Sequence, residues 1–419
     1  MMRILLTANA SYVPPRGGAT RSNLLWLHHL AASGHECRIV AAALADTAEK
    51  REQARQEQMD VDWSSDVSRR GNITIYSVVG RGRQLAVLRE QIRDFQPDWV
   101  LVSSEDLGHV LLRTASQQAP GRIVYLAHTP QFFPFGPASW NPDDEGQELV
   151  RRAAAVVAIG RHMAEYIERH TGRPAAVVHP PIYGSGPFPD FSSFDHGLIT
   201  MINPCAVKGI SIFLAVADSL PQYEFGALPG WGTTSADRKE LESRANITLL
   251  PNCKHIAEVM ERTRLLLMPS LWYEGFGLSV MEAMLHGIPV IASDAGGLVE
   301  AKCGTGFVVP VRAIQRYRPE FDERAMPLPE IEPTGVEPWV EAVRTLLGDR
   351  AVYEAESARS RSAALEFVGK LDAGKLEELL RSLAPRPDKA EPRVSLEGLS
   401  PEKRALVLQR LRQRAALKS

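Results

Sequence analysis

Short aliphatic and β-branched runs alternate with stretches whose apolar positions recur every three or four residues, starting at the third residue of the chain. Residues 3–7 (RILLT) read as a strand, 8–19 as a loop and 21–33 (RSNLLWLHHLAAS) as a helix, with Gly34 as its left-handed stop. Residues 37–42 form the next strand. The same grammar continues through 72–79, 99–103, 123–127, 155–159 and 176–178, with helical stretches between most of them. Alternating strands and helices imply right-handed crossovers and a mostly parallel sheet covered on both faces.

The rhythm breaks at residues 180–197 (PPIYGSGPFPDFSSFDHG), where four prolines and three glycines leave no periodicity. This segment reads as an interdomain linker. Strands are then predicted at 198–202, 224–228, 247–250, 264–268 and 289–292, with helices at 210–220, 255–262 and 277–286. The expectation is an α/β chain of two doubly wound, Rossmann-like domains, residues 1–185 and 198–365. Ligands of such sheets sit beyond the carboxyl ends of the strands, so two facing sheets place a cleft between them. Residues 315–337, rich in proline and acidic side chains, read as an irregular insertion. Helical periodicity returns at 339–347 and 352–383, and residues 366–384 are expected to cross back to the first domain. Residues 385–419 read as a second linker followed by a basic amphipathic helix at 401–418.

Composition narrows the function classes. A chain of 419 residues suits two or three domains, and 48 basic against 50 acidic residues leave a net charge of −2. That balance argues against a general nucleic-acid binder, which needs a basic face toward phosphates. From residue 389 onward, however, eight Lys/Arg against three Asp/Glu make the tail basic. The four cysteines, Cys37, Cys205, Cys253 and Cys303, form no C-x-x-C pair, which fits a reducing compartment rather than a disulfide framework or structural zinc site. No apolar run approaches a membrane span, and the first residues turn polar too soon for a signal peptide, so a cytoplasmic protein is expected.

The most informative stretch is residues 268–300 (MPSLWYEGFGLSVMEAMLHGIPVIASDAGGLVE). A strand runs through a glycine-containing turn into a helix starting near Gly277. The amides at 276–279 would then lack partners within the helix and face an anion. Glu274 precedes the helix and Glu282 lies inside it. Carboxylates are poor phosphate ligands but good acceptors for sugar hydroxyls, so the combination points to a nucleotide sugar. Gly275-x-Gly277 lacks the third glycine of a dinucleotide fingerprint, because position 280 is Val. A glycosidase pair would leave the helix start and Lys208 without a task.

The run Glu274-Gly-Phe-Gly-Leu-Ser-Val-Met-Glu282 resembles the E-x7-E motif of the retaining glycosyltransferases of family 4, which have the GT-B fold. The likeness continues through Gly287-Ile-Pro-Val-Ile-Ala292 and Gly296-Gly-Leu-Val-Glu300. The resemblance implies that Glu282 binds the nucleotide ribose and Glu274 the donor sugar. It implies that amides at Phe276, Gly277 and Leu278 hold the phosphates, and that Lys208 of Val207-Lys208-Gly209 neutralises the diphosphate. Gly17-Gly18 matches the glycine loop facing donor and acceptor, and His128 a histidine near the reacting sugar. Many members carry Gly-Arg-Leu shortly before the Lys-Gly pair; here the strand ends Ile202-Asn203-Pro204 without an arginine. Asn203 is counted with the donor site, as is Gly230. The loop Gly230-Trp231-Gly232-Thr233-Thr234 replaces the usual Gly-Asp/Glu-Gly and is expected to shape the nucleobase pocket.

The chemistry so implied is attack by an acceptor hydroxyl on the anomeric carbon, with retention of configuration and loss of nucleoside diphosphate. No D-x-D motif sits at the end of a predicted strand in the way that metal-dependent transferases hold a cation, so neither a metal nor a cofactor is expected, and Asp143-Asp144 reads as solvated. Phe132, Phe133, Phe135 and Trp140 follow His128 in a Pro-rich loop and either face an apolar or aromatic acceptor or pack the loop down. His28, His29, His109, His162, His170 and His286 are given no role. Residues 399–416 resemble short helical segments beside nonribosomal peptide and polyketide synthetase modules. That implies docking to such a module and a natural-product acceptor; packing on the first domain and contact with an anionic membrane remain the other readings. The acceptor is otherwise a small molecule or a lipid or oligosaccharide precursor. A silent sugar-nucleotide-binding scaffold and a nucleotide-sugar 2-epimerase are the alternatives to transfer.

Overall fold

The computed structural model describes residues 1–13, 15, 17–43, 60–62, 66–253 and 255–384. The first half runs β1 (Arg3–Ala8), α1 (Gly18–Ala32), β2 (Glu36–Ala42), β3 (Asp60–Asp62), β4 (Val67–Arg70), β5 (Ile73–Val78) and α2 (Arg81–Phe95). It continues through β6 (Trp99–Ser103), α3 (Val110–Gln118), β7 (Ile123–Ala127), α4 (Asp144–Arg152), β8 (Ala155–Ala158), α5 (Arg161–Thr171) and β9 (Ala176–Val177). These strands form one sheet in the order β3-β4-β5-β2-β1-β6-β7-β8-β9. Pairing is parallel except at the β3–β4 and β4–β5 edge. A parallel sheet is covered on both faces, which is why β6, β7 and β8, buried at every residue, read as unbroken apolar runs.

The second half repeats the plan with β10 (Leu198–Ile202), α6 (Ile210–Ser219), β11 (Phe225–Leu228), α7 (Ser235–Glu242), β12 (Ile247–Leu249), α8 (Ala257–Met260) and β13 (Thr263–Met268). There follow α9 (Leu278–Leu285), β14 (Val290–Ser293), α10 (Leu298–Ala301) and β15 (Val308–Val309). Its sheet is wholly parallel, in the order β12-β11-β10-β13-β14-β15. Each sheet reverses its direction of growth once, between β1 and β6 and between β10 and β13. The crevices that bind ligands open at those two points.

A hairpin, β16 (Tyr317–Phe321) and β17 (Pro327–Pro329), leads to α11 (Glu337–Gly348), α12 (Arg350–Gly369) and α13 (Lys375–Ser382). One apolar core contains Ile4 and Leu27 of the first half, Met281 and Met284 of the second, and Leu376 and Leu380 of α13. Glu377 on α13 lies 3.1 Å from Nε2 of the buried His35, so the last described helix is seated on the first half.

Several elements differ from their sequence reading. Helix α1 starts at Gly18 rather than 21, because Gly17 turns the chain at φ 87°. The helix read over 255–262 is a single turn. Residues 315–337 hold the hairpin where an irregular insertion was expected; its prolines are tolerated in a two-stranded ribbon, where few strand N–H groups need a partner. The helix read over 352–383 is two helices, α12 and α13. Asp143 is no solvated loop residue: it caps α4 by accepting from the Gly146 N–H and pairs with Arg113, while Asp144 begins the helix. All four cysteines are free. Among the described residues no helix is long and apolar enough to cross a membrane. The readings for residues 385–419, tail helix included, lie outside the described residues.

Candidate functional site

A cavity of about 1060 Å³ opens where the two crevices face each other, lined by both halves and by the hairpin. Gly17 and Gly18 bring the start of α1 to it, and the segment from Glu274 to Ser279 brings the start of α9. These glycines are needed for close approach. A Cβ on Gly18 would lie 2.6 Å from Leu278 Cδ1, and one on Gly275 would lie 2.3 Å from the His128 carbonyl oxygen. Gly277 precedes α9 at φ 113°, a conformation that a side chain would strain. Two helix N-termini thus converge on one end of the cavity, each carrying a partial positive charge.

Lys208 sits at the end of a 3-10 turn after β10 and lines the same wall. Its Nζ lies 2.5 Å from Glu274 Oε1 and 4.4 Å from the centroid of the Trp272 ring. The Ser270 hydroxyl donates to the same Glu274 oxygen at 2.6 Å. Both charged side chains are about nine-tenths buried, so each fixes the other, while the ammonium keeps two further N–H donors. The turn is locked by Gly209, at φ 81°, where a Cβ would come 2.0 Å from the Pro269 carbonyl oxygen.

His128, at the end of β7, lines the cavity while only 4% exposed. Its Nε2 is 2.8 Å from Asn23 Oδ1 on α1. Asn23 Nδ2 donates to the Tyr12 hydroxyl at 2.8 Å and to Ser103 Oγ at 3.1 Å, which orients its carbonyl oxygen toward the imidazole. The ring proton therefore resides on Nε2. Burial holds the imidazole pKa below its ordinary value against the opposing charge of Glu105, so the neutral ring presents Nδ1 as an acceptor.

The other expected residues are divided. Glu282 does not line the cavity; its side chain is 13% exposed and faces α1, with Arg21 at 3.8 Å. Burial pushes its carboxyl up to about 7, with Arg21 opposing. Asn203 and Gly230 also stand behind the wall. Asn203 Oδ1 accepts from the Gly232 N–H at 2.9 Å, and a Cβ on Gly230 would strike that oxygen, so together they hold Trp231, 51% exposed, at the cavity edge. Phe276 lines the cavity, but its ring stacks on Phe367 of α12 at 5.4 Å. Glu300 joins the halves, receiving His179 Nε2 at 2.9 Å and the His162 N–H at 3.1 Å.

The aromatic loop splits in two. Phe133 and Phe135 are core residues, whereas Phe132 and Trp140 line the cavity. The sequence reading passed over Asn23, Glu105, Ser270 and the hairpin. Only Asn23 carried a signal, as an amide on the apolar side of an amphipathic helix.

A family model of glycosyltransferase family 4 matches residues 16–183, and one of glycosyl transferases group 1 matches residues 198–318. An uncharacterized 42.6 kDa protein of the cps region of Klebsiella pneumoniae is 30% identical over 93 residues, 22% of this chain and 25% of that protein. The match thus spans about a quarter of that relative. Sucrose-phosphate synthase from Thermosynechococcus elongatus superposes with a TM-score of 0.66 at 17% identity, over 91% of this chain and 98% of that one. Alr3699/HepE of Anabaena, solved with UDP-glucose, gives a TM-score of 0.62 at 15% identity, over 91% and 98%. At such identities the likeness is one of fold.

Proposed function

Because the chain is a glycosyltransferase of the GT-B fold, we propose that it moves a sugar from a nucleoside diphosphate sugar to a hydroxyl acceptor with retention of configuration. The observation that carries this reading is the convergence of the α1 and α9 starts with Lys208 at one end of the cavity. As the anomeric carbon–oxygen bond breaks, negative charge grows on the leaving phosphate. Fixed amides and one ammonium stabilise that charge without reorganising, and losing one such donor typically costs about 10²–10³ in kcat.

Glu274 holds Lys208 in the free protein and, in this reading, also accepts from donor-sugar hydroxyls. The neutral His128 accepts a hydroxyl of the reacting sugar at Nδ1. Amides at Phe276, Gly277 and Leu278, opposite Gly17 and Gly18, hold the diphosphate. Trp231, set by Asn203 and Gly230, stacks on the base. Glu282 takes the ribose hydroxyls once a nucleotide parts it from Arg21. Positive charge then comes from protein groups, so turnover should survive EDTA. The acceptor is a small-molecule, lipid or oligosaccharide alcohol; on the resemblance of residues 399–416, it is a natural product presented by a synthetase module to a cytoplasmic enzyme.

The test is a thermal-shift screen against UDP, GDP, ADP and dTDP, then release of nucleoside diphosphate from their glucose conjugates. UDP-glucose heads the panel because Alr3699/HepE was solved with it. NMR of the product anomer decides retention. No shift with any nucleotide, and no release, would refute the proposal.

A further inference from the structure

Beyond the donor end, the cavity wall changes character. Trp140 is its hub: its ring lies 5.2 Å from Phe132 in the first half, 6.4 Å from Trp272 in the second and 5.8 Å from Tyr317 on the hairpin. Phe321, also on the hairpin, lines the cavity yet is 66% exposed, a large apolar ring left in water. The hairpin is held in place rather than free. Its tip closes through the Ala325 N–H to the Asp322 carbonyl at 3.0 Å, and Met326 is buried. Arg324 donates to the Thr233 carbonyl at 3.0 Å, and Glu323 receives the Ser235 N–H at 2.7 Å.

Most polar side chains on this wall, Arg318 and Asn141 apart, already have internal partners. The Ser139 hydroxyl donates to the Phe133 carbonyl at 2.5 Å, Arg324 is committed to Thr233, and Arg316 lies 3.4 Å from Glu330. A polyol acceptor needs several free, oriented hydrogen-bonding groups; a flat apolar body needs rings and shape. We infer that hairpin β16–β17 and the loop bearing Phe132 and Trp140 form the acceptor subsite, and that it takes an alcohol with an aryl body. This rests on the transfer reading above and supplies its acceptor class.

In the transfer step a bond forms between the aryl alcohol's hydroxyl oxygen and the anomeric carbon. The bond from that carbon to the diphosphate oxygen breaks, its electron pair leaves with the phosphate, and the hydroxyl proton passes to the departing diphosphate. The rings hold the acceptor's body so that its hydroxyl points toward the donor end.

The experiment uses 4-methylumbelliferone as probe, with glucose and glycerol as competing acceptors. Binding is read directly by tryptophan quenching, without donor turnover. In Phe321→Ser and Trp140→Ala the Kd for the probe, and its KM in transfer, should rise at least tenfold, about 1.4 kcal/mol. The Kd of the preferred nucleoside diphosphate should stay within twofold. Phe321 is mostly exposed, so its loss empties no core and misfolding does not cloud that variant. An unchanged probe Kd in Phe321→Ser, or wild-type preference for glucose or glycerol, overturns the inference. Probe binding without nucleoside diphosphate release from any donor would instead refute transfer while leaving the aryl subsite standing.

Discussion

Replacing Glu282 with Gln should make the free protein more stable at alkaline pH. The side chain is 13% exposed, and its cation, Arg21, is 3.8 Å away and itself 48% exposed, so the pair repays little of the carboxylate's lost hydration. Burial consequently raises the pKa from 4.5 to about 7. Below about pH 4.5 the group is protonated in both states and contributes nothing. As pH rises from there the unfolded chain ionises Glu282 while the folded chain does not, so unfolding releases a proton and stability falls. Above about pH 7 the loss is complete, and at 1.36 kcal/mol per unit it amounts to about 3 kcal/mol. Glu282→Gln keeps the shape and removes the titration. Urea unfolding of both proteins from pH 4.5 to 8.5 should show their difference moving by about 3 kcal/mol in the variant's favour. Parallel pH profiles would refute the reasoning. Saturating nucleoside diphosphate adds a second reading, since a hundredfold excess over Kd stabilises by about 2.7 kcal/mol. At matched excess over the wild-type Kd, Glu282→Gln should gain less; equal gains would remove Glu282 from the ribose.

Three further outcomes can be measured. Asn23→Asp places a carboxylate 2.8 Å from His128 Nε2 and should raise the imidazole pKa, moving the acid limb of the pH–rate profile upward; an unmoved limb would deny His128 a part in turnover. Lys302→Met takes one of two cations from Glu356, a fully buried carboxylate 3.7 Å from the lysine that keeps Arg359 at 3.1 Å and the Ser360 hydroxyl, and should cost about 1–3 kcal/mol in urea unfolding. The double variant with Glu356→Leu should recover much of that loss. Deleting residues 385–419 should leave transfer to a free small acceptor intact in a steady-state assay, and loss of donor turnover would show that the tail serves the catalytic domains.

The strands were legible because parallel sheets bury both faces, and runs such as residues 99–103 and 123–127 leave no other reading. Glu274 and the start of α9 were legible because a strand, a glycine turn and a helix follow one another there within ten residues, whereas Lys208 was singled out by its resemblance to the family's Lys-Gly pair. What escaped has a common cause: contacts set by tertiary neighbours rather than local period. The hairpin carries its rings toward a cavity instead of a core, so charge and proline dominate its pattern. Phe132 and Trp140 cannot be separated from Phe133 and Phe135 in a loop without periodicity. Asn23 acquires meaning only when β7 delivers His128 to its carbonyl. Glu282 shares a motif with Glu274, but lying inside α9 it faces α1 rather than the cavity.

The halves are connected twice by the covalent chain, once through residues 180–197 and once where α12 gives way to α13. The two crossings run side by side: Arg361 on α12 donates to the Phe188 carbonyl of the first crossing and to the Leu285 carbonyl of α9, both at 2.6 Å. A body attached at two neighbouring points cannot tumble freely; it swings about the line through them. Any motion opening the cavity would thereby be reduced to one angular coordinate with its axis along this seam. A ligand held by both the α1 and α9 starts, which meet at Gly18 and Leu278, would be gripped or released as that one angle changes.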